Sequence, residues 1–190
     1  MATPDDFKKI YDFTQKWEGG AKFTNNSKDP GGATKFGVSL RFLKNLPLKW
    51  SDTNKDGKVT WQDVFALEPK NVESIFKEYF WKPVKADNLP DVIAMIMFDG
   101  AVNIGVNRIS RMLQHLVGVT EDGQIGNKTL YAVDRHDVLL LAKGLLRLRS
   151  EYYHMLARET LWADAFIKGW INRTKALADM LEIKHTDFLP

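Results

Sequence analysis

Trp17-Glu18-Gly19-Gly20 is followed, after a turn-rich stretch, by Asp29-Pro30-Gly31-Gly32-Ala33-Thr34-Lys35-Phe36-Gly37-Val38-Ser39, and two kinds of backbone meet there. Upstream, Thr3-Pro4-Asp5-Asp6 offers an N-cap hydroxyl, a proline at the first helical position and carboxylates in the first turn, so a helix is predicted to start there. Phe7, Ile10, Tyr11, Phe13, Thr14 and Trp17 recur at helical spacing on one face, and Gly19-Gly20 should stop the helix, with Glu18 as its last side chain. Downstream, residues 21–39 are rich in turn formers and carry no helical period, which predicts a short hairpin region with a Pro-Gly-Gly turn.

Working outward, Leu40 to Leu46 reads as one or two helical turns, and Pro69 to Trp81 as a helix packing Val72, Ile75, Phe76 and Tyr79. Pro83 and Pro90 bracket a connector at which a lobe boundary could fall. Val92 to Val102 is apolar nearly all round and predicts a buried central helix. Asn107 to Val117, Thr129 to Val133, His136 to Ala157 and Leu161 to Leu181 follow as further helices. The expected class is therefore mostly α with a small β-hairpin near the N-terminus. Two lobes are expected, at residues 7–90 and 91–182. Because the 92–102 helix would leave a large apolar patch exposed if its lobe stood alone, the lobes are expected to form one body with a cleft between them.

With 44% hydrophobic and 27% charged residues, the 190-residue chain can bury one good core and is too apolar for a disordered polymer. The absence of cysteine excludes a disulfide framework, thiolate metal sites and a cysteine nucleophile. The formal charge of +3 comes from basic residues spread along the chain, and no basic recognition helix stands out, so nucleic acid is not expected as a partner. Val92 to Phe98, the longest apolar run, falls far short of the roughly 18–20 residues of a membrane span, and no stable membrane insertion is expected. No apolar leader segment follows Met1-Ala2-Thr3-Pro4. The expectation is a monomer without a signal peptide, made in the cytoplasm.

Gly-x-Ser-x-Gly, phosphate-loop, dinucleotide-glycine and His-Glu-x-x-His signatures are all missing, and His115, His136, His154 and His185 lie at spacings that suit no shared metal. That leaves carboxylate chemistry. Glu18, at the C-terminal end of its helix, faces the negative end of the macrodipole and gains nothing locally from being charged there. A carboxylic acid able to give up a proton is what general-acid cleavage of a glycosidic bond requires. Asp29 follows eleven residues later and Thr34 five after that, so the hairpin could carry a second carboxylate and a hydroxyl across a cleft from Glu18, where an inverting hydrolase holds its water. The alternatives are a solvent-exposed Glu18, an ordinary Asp-Pro-Gly turn at Asp29 and a plain strand residue at Thr34.

These residues resemble the signature of glycoside hydrolase family 108, lysozyme-like N-acetylmuramidases of phages and bacteria, and Tyr79-Phe80-Trp81-Lys82-Pro83 is similar to the aromatic end of that family's N-terminal region. The resemblance implies a lysozyme-like two-lobed helical fold with Glu18 as the catalytic glutamate. The order Glu18, Asp29, Thr34 also looks like that of the phage-type lysozymes, though the spacing differs by a few residues. Phe98-Asp99-Gly100-Ala101-Val102-Asn103-Ile104-Gly105, Asn107 to Gln114 and Val119 to Leu130 resemble the predicted peptidoglycan-binding domain that commonly follows in that family. On this reading Asn103 lines the cleft floor, and Tyr79, Trp81 and Tyr153 stack on sugar rings, with core packing as the alternative for each aromatic. The implied activity is cleavage of the bond between N-acetylmuramic acid and N-acetylglucosamine in peptidoglycan, reached after release of the protein to the wall or periplasm. A lytic transglycosylase and a non-catalytic wall-binding protein are the alternatives.

Asp52-Thr53-Asn54-Lys55-Asp56-Gly57-Lys58-Val59-Thr60-Trp61-Gln62-Asp63 matches a twelve-residue EF-hand loop. Asp52, Asn54, Asp56 and Asp63 would give side-chain oxygens and Lys58 its carbonyl, while Asp in place of Glu at the twelfth position shortens the reach. A structural calcium is one expectation and an Asx-rich turn the other; no cofactor is expected to be needed for catalysis.

Overall fold

In the computed structural model, residues 1–25 and 31–189 are described. Its contacts fall into two units, Tyr11–Tyr79 and Met1–Ile10 with Phe80–Pro190. The first helix, α1 (Pro4–Trp17), contributes its early turns to the second of these and its later turns to the first. Thr3 and Asp6 close its N-terminus as a capping box. The Thr3 N–H and hydroxyl donate to Asp6 Oδ2 at 2.8 and 2.7 Å, and the Asp6 N–H donates to Thr3 Oγ1 at 3.3 Å. These bonds favour the charged carboxyl and hold it below the usual carboxylate range.

In the unit Tyr11–Tyr79, α1 gives way to a two-stranded antiparallel hairpin, β1 (Thr34–Lys35) and β2 (Val38–Ser39), in the register Thr34 to Ser39 and Lys35 to Val38. An antiparallel bridge between Thr24 and Thr34 ties the loop after α1 to β1. Ser39 then caps α2 (Leu40–Lys44), accepting from the Phe42 N–H. α3 (Leu48–Ser51), α4 (Trp61–Ala66) and α5 (Pro69–Phe76) follow. Leu43, Val64, Leu67, Val72, Ile75 and Phe76 form the buried centre of this unit.

Helical spacing predicts one helix over 69–81, but α5 ends at Phe76 and the chain continues as a π-turn at Lys77–Trp81. The wider turn brings Trp81 into the core of the other unit, where it meets Phe7 and Phe98 edge to face at 5.2 and 5.9 Å, while Phe7 and Phe98 pair at 5.6 Å. Each such pair adds about 0.5–1.5 kcal/mol to the burial of its rings. The Trp81 indole N–H donates to Asp87 Oδ1 at 2.7 Å, so its one polar atom is satisfied.

α6 (Asp91–Ile104) is the buried central helix that its apolar run predicts: Ile93 through Ala101 are all buried. Against it lie α7 (Val106–Leu116) and α9 (Val138–Glu159), with α8 (Asn127–Val133) between them in sequence and α10 (Leu161–Met180) packed along α9. Among the described residues no helix is long and apolar enough to cross a membrane.

Candidate functional site

The Glu18 side chain is partly buried, one residue beyond α1, with its N–H still donating to the Thr14 carbonyl at 3.2 Å. The hairpin turn packs on it. Phe36 and Gly37, the two residues between the strands, both have positive φ, at 54° and 76°, as a two-residue turn of the primed kind requires. The Phe36 N–H donates to the Gly20 carbonyl at 2.9 Å, which fastens the turn to the loop that follows Glu18. A Cβ added at Gly37 would fall 2.6 Å from the Glu18 Cβ and 3.3 Å from its Oε2, so the backbone approaches this carboxylate as closely as only glycine permits. Backbone therefore bounds one side of Glu18. Phe23 packs edge to face on Phe65 at 5.3 Å.

Thr34 sits at the base of the same hairpin, and its hydroxyl donates to the Gly32 carbonyl at 3.3 Å. Lys35, one residue on, spans to the end of α4, donating to the Phe65 and Leu67 carbonyls at 2.7 Å each, which anchors the hairpin to the helices below it. Asp29 lies outside the described residues. Tyr79 is partly buried, its ring edge-on to Phe42 and Trp50 at 6.1 and 6.0 Å.

Two of the rings expected to stack on sugars have a different place. Trp81 is 0% and Tyr153 1% exposed, and neither offers a face to solvent. Trp81 completes the Phe7–Phe98 cluster described above. Tyr153 joins a polar network: its hydroxyl donates to Asn103 Oδ1 and accepts from Arg149 Nη2 at 3.2 Å. Arg149 in turn donates to Asp99 Oδ2 at 2.9 Å, and Arg173 donates to Asp99 Oδ1 at 2.8 Å. Asn103 is partly exposed at the edge of this network, its Oδ1 accepting from the Tyr153 hydroxyl. The sequence signal that separates these roles is position: Tyr153 lies four residues after Arg149, and both fall on the buried face of α9.

The loop at 52–63 folds as a chain of Asx turns. Asp52 Oδ1 and Oδ2 accept from the Asp56 and Gly57 N–H groups, and Asp56 Oδ1 accepts from the Lys58 N–H. Asp63, fully buried, accepts from the Thr53 and Asn54 N–H groups through Oδ1 and from the Thr60 N–H through Oδ2, forming a capping box with Thr60 at the start of α4. Among the described residues no group of three or more His, Asp or Glu side chains is placed to hold a metal ion. Asp52, Asn54, Asp56 and Asp63 each accept, through side-chain oxygens, backbone N–H bonds that close the loop.

The family model described as Glycosyl hydrolase 108 matches residues 11–105, and the one described as Predicted Peptidoglycan domain matches residues 108–175. The structure of Brucella abortus SagA is similar, with a TM-score of 0.76 and 30% sequence identity over 94% of each chain. No curated protein matches the chain.

Proposed function

The chain belongs to the glycosyl hydrolase 108 family, and from that premise we propose that it cleaves the glycosidic bond between N-acetylmuramic acid and N-acetylglucosamine in peptidoglycan, with Glu18 as general acid. The observation that carries the reading is the Gly37 turn laid against the Glu18 side chain, which fixes a carboxylic acid beside a glycine-rich backbone edge. Glu18 gives its proton to the bridging oxygen, the bond from that oxygen to the anomeric carbon breaks, and a water adds hydroxide to that carbon while releasing a proton to a carboxylate. Asp29 is the residue we assign to accept that proton, and Thr34 to position the water. Tyr79 supplies a contact to the sugars. Calcium has no part in the reaction.

The peptidoglycan domain match over residues 108–175 supports the polymer as substrate. The test is solubilisation of purified peptidoglycan by the wild type and by Glu18→Gln, with circular dichroism on both and mass spectrometry of the fragments. The expected outcome is loss of activity of at least ~100-fold in the variant, as the proton donor is removed, and wild-type products with a hydrated reducing-end muramic acid. Products lighter by one water would make the enzyme a transglycosylase. A wild type that binds the wall without cutting it would end the catalytic reading.

A further inference from the structure

A groove of about 620 Å³ runs along α7, entirely within the unit that contains residues 80–189, and its lining combines an apolar floor with two arginines. Ile104, Met112 and Leu148 form the floor, and Arg108 and Arg111 stand at the wall, both exposed. The spacing of three residues places both arginines on one face of the helix.

Each guanidinium is held in place by a contact that leaves donors free. Arg108 sits over the Tyr152 ring, its central carbon 4.2 Å from the ring centre, a contact that uses none of its N–H donors. Arg111 donates through Nε to Asn107 Oδ1 at 2.9 Å, which leaves both terminal nitrogens of the fork. The one carboxylate in the lining, Glu121, is taken by His115 Nδ1 at 2.8 Å. Arg111 also lies near enough to Asp122 for its charge to help lower that carboxyl. Among the described residues neither arginine forms a direct ion pair, so two forks with open donors above an apolar floor match a ligand that alternates carboxylates with small apolar groups. A neutral sugar would satisfy neither fork.

We propose that this groove binds the carboxylate-bearing peptide of peptidoglycan, with Arg108 and Arg111 gripping its carboxylate and Ile104, Met112 and Leu148 covering its methyl groups. The assignment rests on the reading of peptidoglycan as substrate, and it divides the work: the sugars are met near Glu18 and the peptide on α7.

The probe is N-acetylmuramoyl-L-alanyl-D-isoglutamine, which carries a carboxylate and an alanyl methyl and has no glycosidic bond to cut. Titration of the full-length wild type, followed by backbone amide NMR, is expected to move the resonances of residues 104–115 and 121. Arg108→Gln with Arg111→Gln is expected to weaken binding tenfold or more. Arg108→Lys, which keeps the charge but loses the fork, should fall between. The C-terminal amide of the probe and chitotetraose should bind at least tenfold more weakly than the acid. Shifts confined to other residues, equal binding of acid and amide, or unchanged affinity in a double variant that circular dichroism shows to be folded would overturn the assignment. If the wild type binds the acid in this groove yet releases nothing from peptidoglycan, the catalytic reading fails and the groove assignment stands.

Discussion

Glu18 and Gly37 are nineteen positions apart in sequence and in van der Waals contact in the fold, so the constraint on each is readable only through the other. At Gly37 an added methyl group meets two penalties, a φ of 76° and a collision with Glu18. At Gly57 the φ is similar, 82°, and a Cβ would meet nothing within 4 Å. Comparing the two alanine variants therefore separates strain from collision. Gly57→Ala is expected to cost about 1 kcal/mol from the left-handed backbone alone. Gly37→Ala should cost ~1–3 kcal/mol more, since the Glu18 side chain or the turn has to shift. It should also lower peptidoglycan cleavage tenfold or more, a loss that Gly57→Ala does not share. Urea denaturation and fragment release measure both. Equal stability and equal activity of the two variants would mean that the packing of the turn on Glu18 has no bearing on either.

Elements with a strong local pattern were legible in the sequence, and those set by longer-range demands were not. The buried helix α6 follows from an unbroken apolar run, and the start of α1 from its capping residues. The π-turn at Lys77–Trp81 carries no local signature. At its end Trp81 packs on Phe7 and Phe98, a long-range contact that the spacing of residues 69–81 does not reveal. The residues of the loop at 52–63 suit a calcium loop by spacing, while the acceptance of three backbone N–H bonds by Asp63 is a matter of folded geometry. That geometry yields a prediction: Asp63→Ala, at a fully buried position, leaves the Thr53, Asn54 and Thr60 N–H groups without their acceptor. The expected cost is ~2–4 kcal/mol, from one helix cap and at least one buried amide. Thermal unfolding monitored by circular dichroism would measure it, and a loss below about 0.5 kcal/mol would show the loop to be held by other means.

At the scale of the molecule, charge binds distant parts of the chain together. Asp99 on α6 holds Arg149 on α9 and Arg173 on α10, fifty and seventy-four residues away, and all three side chains are buried. Nothing in the sequence pairs them, because their partnership exists only once three helices have packed. Burial alone would push the Asp99 carboxyl up, but the charges and hydrogen bonds of Arg173 and Arg149 outweigh it and hold the group below the usual carboxylate range. With the folded value depressed, the unfolded chain binds the proton more readily. This contribution to stability is thus complete above the unfolded value near 4 and is lost as pH falls through the folded value. Urea midpoints should therefore decline on acidification below about pH 4, and more steeply in the wild type than in Asp99→Asn. At neutral pH the same variant removes the only negative charge of a buried trio and leaves two guanidinium groups facing each other, for an expected cost of ~3–5 kcal/mol. If Asp99→Asn were as stable as the wild type at pH 7, or if the two lost stability in parallel below pH 4, the three helices would have to be held by their apolar faces alone.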